Sequence, residues 1–148
     1  MAIATNTNLD GLKRGSVAVV GAAESDLGQV APNTNPMDLM AQATLRALED
    51  CGLTLKDVDG LFVAATQVRM GPMAFAEYLR IKPRYFDGTI IGGSSFMSHV
   101  AHAHAALQLG LCSVAVIAYG STQRSVSRAA ASPRDFNPYE SPYRPFLP

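Results

Sequence analysis

Neither sign of charge prevails in this chain. Twelve Lys and Arg residues balance twelve Asp and Glu, so no net field draws it to nucleic acid or to an anionic membrane surface. Long apolar runs are missing too, and none approaches the ~18–20 residues that would span a bilayer. The opening residues, MAIATNTNLDGLKRG, contain no apolar h-region. They read as a frayed tail over residues 1–15 and not as a secretory signal. Cysteine is scarce. Cys51 and Cys112 each lie inside an apolar periodic segment, the pattern of buried, reduced thiols in a cytoplasmic protein. Internal repeats and dominant low-complexity tracts are also absent.

What is present suits one globular domain. The chain has 148 residues, 48% of them hydrophobic and 16% charged, enough to bury a core and too apolar for disorder. Ser16 to Gly21 (SVAVVG) is β-branched and apolar throughout, as expected for a strand buried on both faces. Asn35-Pro36 then opens a helix, with Asn as N-cap, Pro at the first position and Asp38 complementing the dipole. Its apolar face is Met37, Met40, Ala41, Thr44, Leu45, Leu48 and Cys51, and Gly52 stops it. A second strand is expected at Val58 to Ala64, a second helix from Gly71-Pro72 to about Arg80, and a third strand at Gly88 to Ile91. A third helix spans Phe96 to Leu109, and a fourth strand Ser113 to Tyr119. The order β-α-β-α-β-α-β predicts an α/β fold with a mostly parallel sheet covered by helices on both faces, over residues 16–120. Residues 121–148 are rich in Pro, Arg and Ser, lack periodicity, and read as an irregular segment.

Four features invite a chemical reading. Gly21-Ala22-Ala23-Glu24 follows the first strand but lacks the three spaced glycines of a dinucleotide turn, and no Walker-type Gly-Lys-Ser/Thr exists. His99, His102 and His104 suggest a metal. Yet on a helix His104 points away from the other two, no acidic or Cys ligand lies nearby in sequence, and the favoured roles are core packing or a subunit contact. Cys112 is separated from Ser94 by a helix of about 14 residues, roughly 20 Å, so core packing is expected for it, as for Cys51. The sharpest feature is Gly92-Gly93-Ser94-Ser95. A strand ends there, and a helix begins whose free amides can hold an oxyanion or carboxylate. Ser94 or Ser95 is a nucleophile, a donor to a carbonyl, or an N-cap, the last being the commonest role of Ser at such a place. His99, one turn on, has a possible orienting role, and Gly92 and Phe96 flank the candidate site. No cysteine occupies the turn.

Three segments carry a resemblance: SVAVVGAAES, PMDLMAQATLRALEDCGLTLKDVDGLFV and GGSSFMSHVAHAHAALQLGLCSVAVIAYGS. In this order they resemble the N-terminal pattern of the thiolase superfamily, particularly its sterol-carrier-protein or lipid-transfer type. In that family a nucleophilic cysteine opens the third helix, and counting back from Gly110 its position falls on Gly93. The resemblance is closer in character to the cysteine-less thiolase-like aldolases that shorten steroid side chains. It implies a CoA thioester as substrate, retro-aldol cleavage of a β-hydroxyacyl-CoA without a covalent acyl-enzyme, and no covalently bound cofactor. It also implies a homodimer formed through a sheet edge and an OB-fold partner with a zinc ribbon. A thiolase-type acyltransferase, a ketoacyl synthase relative, and a non-catalytic subunit or lipid carrier remain alternatives. Family subunits are more than twice this length, so the resemblance further implies that the chain is a fragment or one part of a split protein.

Overall fold

The computed structural model describes residues 11–125. Helix α1 (Pro36–Asp50) starts where sequence chemistry demands. The Asn35 side chain accepts from the amides of Met37 and Asp38, and the Asp38 carboxylate accepts from the Asn35 amide, a reciprocal capping box. Its buried face comprises Leu39, Met40, Ala41, Thr44 and Leu48. Leu45, expected on that face, is half exposed. Gly52, at φ +72°, lets the chain leave the helix.

Strand β1 (Gly60–Val63) is buried at every position. Helix α2 (Gly71–Leu79), strand β2 (Tyr85–Asp87), helix α3 (Ser95–Gln108) and strand β3 (Ala115–Ala118) follow. The three strands form a parallel sheet in the order β2-β1-β3, with Gly60 opposite both Tyr85 and Ala115. Strand alternation then sorts the core into two layers. Leu61 and Val63 pack with Met40 of α1 and with Phe75 and Leu79 of α2. Phe62 faces the other way, onto Ala103 and Ala106 of α3 and onto Cys112. The expected α/β sandwich with helices on both faces of a parallel sheet is therefore present.

Asp59 sets the starting line of the sheet. One of its carboxylate oxygens accepts from the amides of Ser113 and Val114 at 2.7 and 2.8 Å, and the other lies 3.7 Å from the Arg84 guanidinium. Beside it, a Cβ on Gly60 would come within 2.8 Å of the Cys112 sulfur, so only glycine lets β1 pass that close.

Two expected strands are not formed. Residues 16–21 form no strand and join no sheet among the described residues, and Val19 is 85% exposed. The segment is tethered at both ends to helices, and its edges meet no neighbouring strand. The strand expected at 88–91 lies instead at Tyr85–Asp87. The cause is local: the Asp87 carboxylate accepts from both the amide and the hydroxyl of Thr89, which curls the chain out of the sheet. The second and fourth strands are shorter than the expected 58–64 and 113–119. Within the expected tail, Lys13 donates its amide to Gln108 Oε1 at 2.8 Å. Residues 126–148, most of the expected irregular segment, lie outside the described residues.

Candidate functional site at the head of α3

In a parallel sheet the carboxyl ends of the strands define the crevice where ligands bind. Here the segments leaving β1, β2 and β3 converge there. Gln67, after β1, accepts from the Ser121 hydroxyl and the Thr122 amide after β3 and donates to the Thr122 hydroxyl, tying two of these segments together. The third segment holds Gly92 to Ser95.

That turn is built by Gly92 and Ser95. Gly92 has φ +81°, a conformation that favours glycine. The Ser95 hydroxyl donates to the Gly92 carbonyl at 2.7 Å and accepts from the Ile91 amide at 2.9 Å. Ser95 is 1% exposed, and its hydroxyl proton is committed to the turn. Ser94 occupies the N-cap position in helical conformation, and its side chain makes no cap hydrogen bond. It is exposed. The amides of Ser94 and Phe96 find no acceptor among the described residues, so the positive end of a 14-residue helix is available to an anion or a polarised carbonyl. Gly93 immediately precedes them in an ordinary backbone conformation, and a Cβ there would meet nothing within 4 Å among the described residues beyond its chain neighbours.

Aromatic groups back the turn. Phe96 packs edge-on against Tyr119 at 5.1 Å between ring centroids and against His99 at 6.3 Å. His99 in turn lies 6.0 Å from Phe62, in the core. His99 is fully buried, and neither ring nitrogen has a hydrogen-bond partner among the described residues. An imidazole carries at least one polar hydrogen, so this burial opposes stability.

The three histidines part company. His102 uses Nδ1 to bind the Asp87 carboxylate, and His104 uses Nε2 to reach the Ser16 hydroxyl at 2.9 Å and the Lys13 carbonyl at 3.1 Å. Burial pushes the Asp87 carboxyl up, but the hydrogen bonds from Thr89 and His102 prevail and hold it below the usual carboxylate range. Burial also pushes the Cys112 thiol up, with the Asp59 carboxylate adding to it. Cys112 lies beyond the far end of α3, buried against β1, and is no part of the turn.

Sequence reasoning located the turn but missed Tyr119 and the Asp87–His102 pair. Tyr119 ends an apolar run and read as the last residue of a strand. Asp87 precedes the glycine at which a strand was expected to begin, and nothing in the spacing tied it to a histidine 15 residues on.

No family model matches the chain, and no curated protein matches it by sequence. Solved structures do. The Ltp2-ChsH2(DUF35) aldolase matches at 26% identity with a TM-score of 0.59, over 75% of this chain and 31% of that one. OleA from Xanthomonas campestris bound to cerulenin matches at 14% identity and a TM-score of 0.66, over 84% of this chain and 51% of that one. A monomeric SCP2-thiolase-like protein from Mycobacterium smegmatis matches at 20% identity and a TM-score of 0.50, over 63% and 20%. The chain thus spans about half or less of the length of these structures. They are thiolase-like proteins, and the expected thiolase-type α/β fold is the one this chain adopts. No helix among the described residues is long and apolar enough to cross a membrane.

Proposed function

We propose that this thiolase-like chain is part of an aldolase that cleaves a β-hydroxyacyl-CoA, with the thioester carbonyl held at the head of α3. The observation that carries the reading is the pairing of free amides at Ser94 and Phe96 with an empty position at Gly93. A helix end without a cysteine nucleophile can still stabilise negative oxygen, and retro-aldol chemistry needs no acyl-enzyme. In the retro-aldol step a base removes the proton of the β-hydroxyl, and that oxygen becomes a carbonyl as the Cα–Cβ bond breaks. The electron pair of that bond becomes the thioester enolate, whose oxygen faces the amides, and protonation of its carbon releases the shortened acyl-CoA. The missing Gly93 side chain leaves room for a branched substrate. Ser94 is the hydroxyl at the turn that no internal bond occupies, and it can donate to the same oxygen. The 26% identity to an aldolase supports this reading.

The same proposal includes a homodimer through the open edge of β2, where Phe86 is half exposed at the end of the sheet, and an OB-fold partner with a zinc ribbon. The test incubates the complete assembly with a β-hydroxyacyl-CoA and follows formation of a ketone or aldehyde together with a shortened acyl-CoA. Thiolysis of a 3-ketoacyl-CoA with no retro-aldol products overturns the reading in favour of an acyltransferase.

A further inference from the structure

Side-chain hydrogen bonds hold helix α3 at three places, and they differ in what they reach. Ser95 bonds within its own turn, to the Ile91 amide and the Gly92 carbonyl. His104 and Gln108, toward the far end, bond to residues 11–16, which join no sheet among the described residues. His102 alone reaches a strand. Its Nδ1 bonds to the carboxylate of Asp87, the last residue of β2, and no other side chain of α3 hydrogen-bonds to a strand among the described residues. The apolar contact beneath gives little axial grip. Helix α3 meets Phe62 largely through Ala103 and Ala106, and alanine raises only a shallow ridge to seat in a groove. Asp87 meanwhile spends its two oxygens on the two ends of one segment. Oδ1 accepts from the amide and the hydroxyl of Thr89, both at 2.7 Å, and Oδ2 bonds to His102. The carboxylate is mostly buried, and its backbone stands in register with Phe62 of β1. Residues 88–101 thus form a loop closed by one side chain, and Gly92 to Ser95 lie in its middle.

We propose that Asp87 and His102 are positioning residues for the turn before α3, setting where the free amides of Ser94 and Phe96 stand relative to the sheet. Seven residues of helix, about 10.5 Å, separate His102 from Ser95, so a tie at one end fixes the other along the same axis. Ser95 preserves the shape of the turn but does not anchor it. When α3 slides, residues 88–91, held to β2 at Asp87, pull on the bond between the Ile91 amide and Ser95. The link to catalysis rests on the aldolase reading, in which those amides receive the enolate oxygen. A displacement of about 1 Å at a reacting group can cost about a hundredfold in rate.

The test compares His102→Leu with His102→Asn, whose amide nitrogen takes the place of Nδ1. Both readouts are taken on the complete assembly. Hydrogen exchange follows the Ile91 amide, held by Ser95, against the amides of β1. His102→Leu should speed exchange at Ile91 by about tenfold with β1 unchanged, and His102→Asn should restore most of the protection. With a β-hydroxyacyl-CoA, His102→Leu should lower kcat by about ten- to a hundredfold and hold KM within about twofold, and His102→Asn should recover most of the rate. Asp87→Ala should reproduce both changes, and adding His102→Leu to it should add little, because the tie is already gone. Unchanged exchange at Ile91 in His102→Leu, no recovery in His102→Asn, additive effects in the double variant, or a loss of rate that tracks dissociation of a dimer overturns the inference. Exchange needs no substrate. A wild-type assembly that yields no retro-aldol products therefore defeats the aldolase reading, while loss and recovery of Ile91 protection still supports the positioning of the turn.

Discussion

Ser95 closes the turn before α3 through two hydrogen bonds, while Ser94 beside it spends none. Ser95→Ala removes the acceptor of the Ile91 amide and one of the two donors to the Gly92 carbonyl, which keeps the Ser95 amide, and should cost about 1 kcal/mol in urea unfolding. Ser94→Ala should leave stability nearly unchanged and, if the aldolase reading holds, slow turnover of the assembly. Gly93 has room for a side chain. Gly93→Cys should fold, and its thiol, at a helix N-terminus, should be alkylated by iodoacetamide well ahead of Cys51 and Cys112. His99→Phe removes an unpartnered imidazole and should be neutral or stabilising by about 1 kcal/mol, read as a shift of the urea midpoint. At Asp87 the folded carboxyl titrates below its unfolded counterpart. Its contribution is thus present above the unfolded pKa of about 3.9 and is lost as pH falls through the lower folded value. The stability gap between wild type and Asp87→Asn, measured by urea unfolding at stepped pH, should be largest near neutrality and narrow below pH of about 4.

At the scale of elements, the helices were legible because their signals are local. Asn35, Pro36 and Asp38 mark the start of α1, and Asn35→Ala should cost about 0.5–2 kcal/mol by removing the cap, checked by thermal unfolding. The helix positions follow from signals within one segment: cap and glycine stop for α1, Gly71-Pro72 and apolar spacing for α2, and the glycine-serine turn and Gly110 for α3. Strands depend on neighbours. SVAVVG has the composition of a central strand, yet a strand exists only where another edge meets it, and no local signal reports that edge. Thr89 and Ile90 likewise favour a strand, but the Asp87 carboxylate competes for the Thr89 amide. The site divides in the same way. Gly92 to Ser95 was visible as a glycine-serine turn between apolar periods, whereas Tyr119 and His102 acquire their roles from contacts across the fold.

The whole molecule is organised around β1, which lies between the other two strands and touches both helix layers. This arrangement has a consequence for the order of folding. Tyr85 pairs with Gly60 across 25 positions, but Ala115 pairs with it across 55. The nearer pairing closes the shorter loop and is favoured to form first. A chain emerging from the ribosome must therefore carry Phe62 covered by Tyr85 alone until α3 and β3 have been synthesised, because its other packing partners Ala103, Ala106, Cys112 and Ile117 all come later. Through that interval the nascent chain presents one finished layer and one half-covered aromatic face, a state that invites chaperone binding. The completion of Asp59's two bonds to Ser113 and Val114 then marks the moment at which the second layer can close.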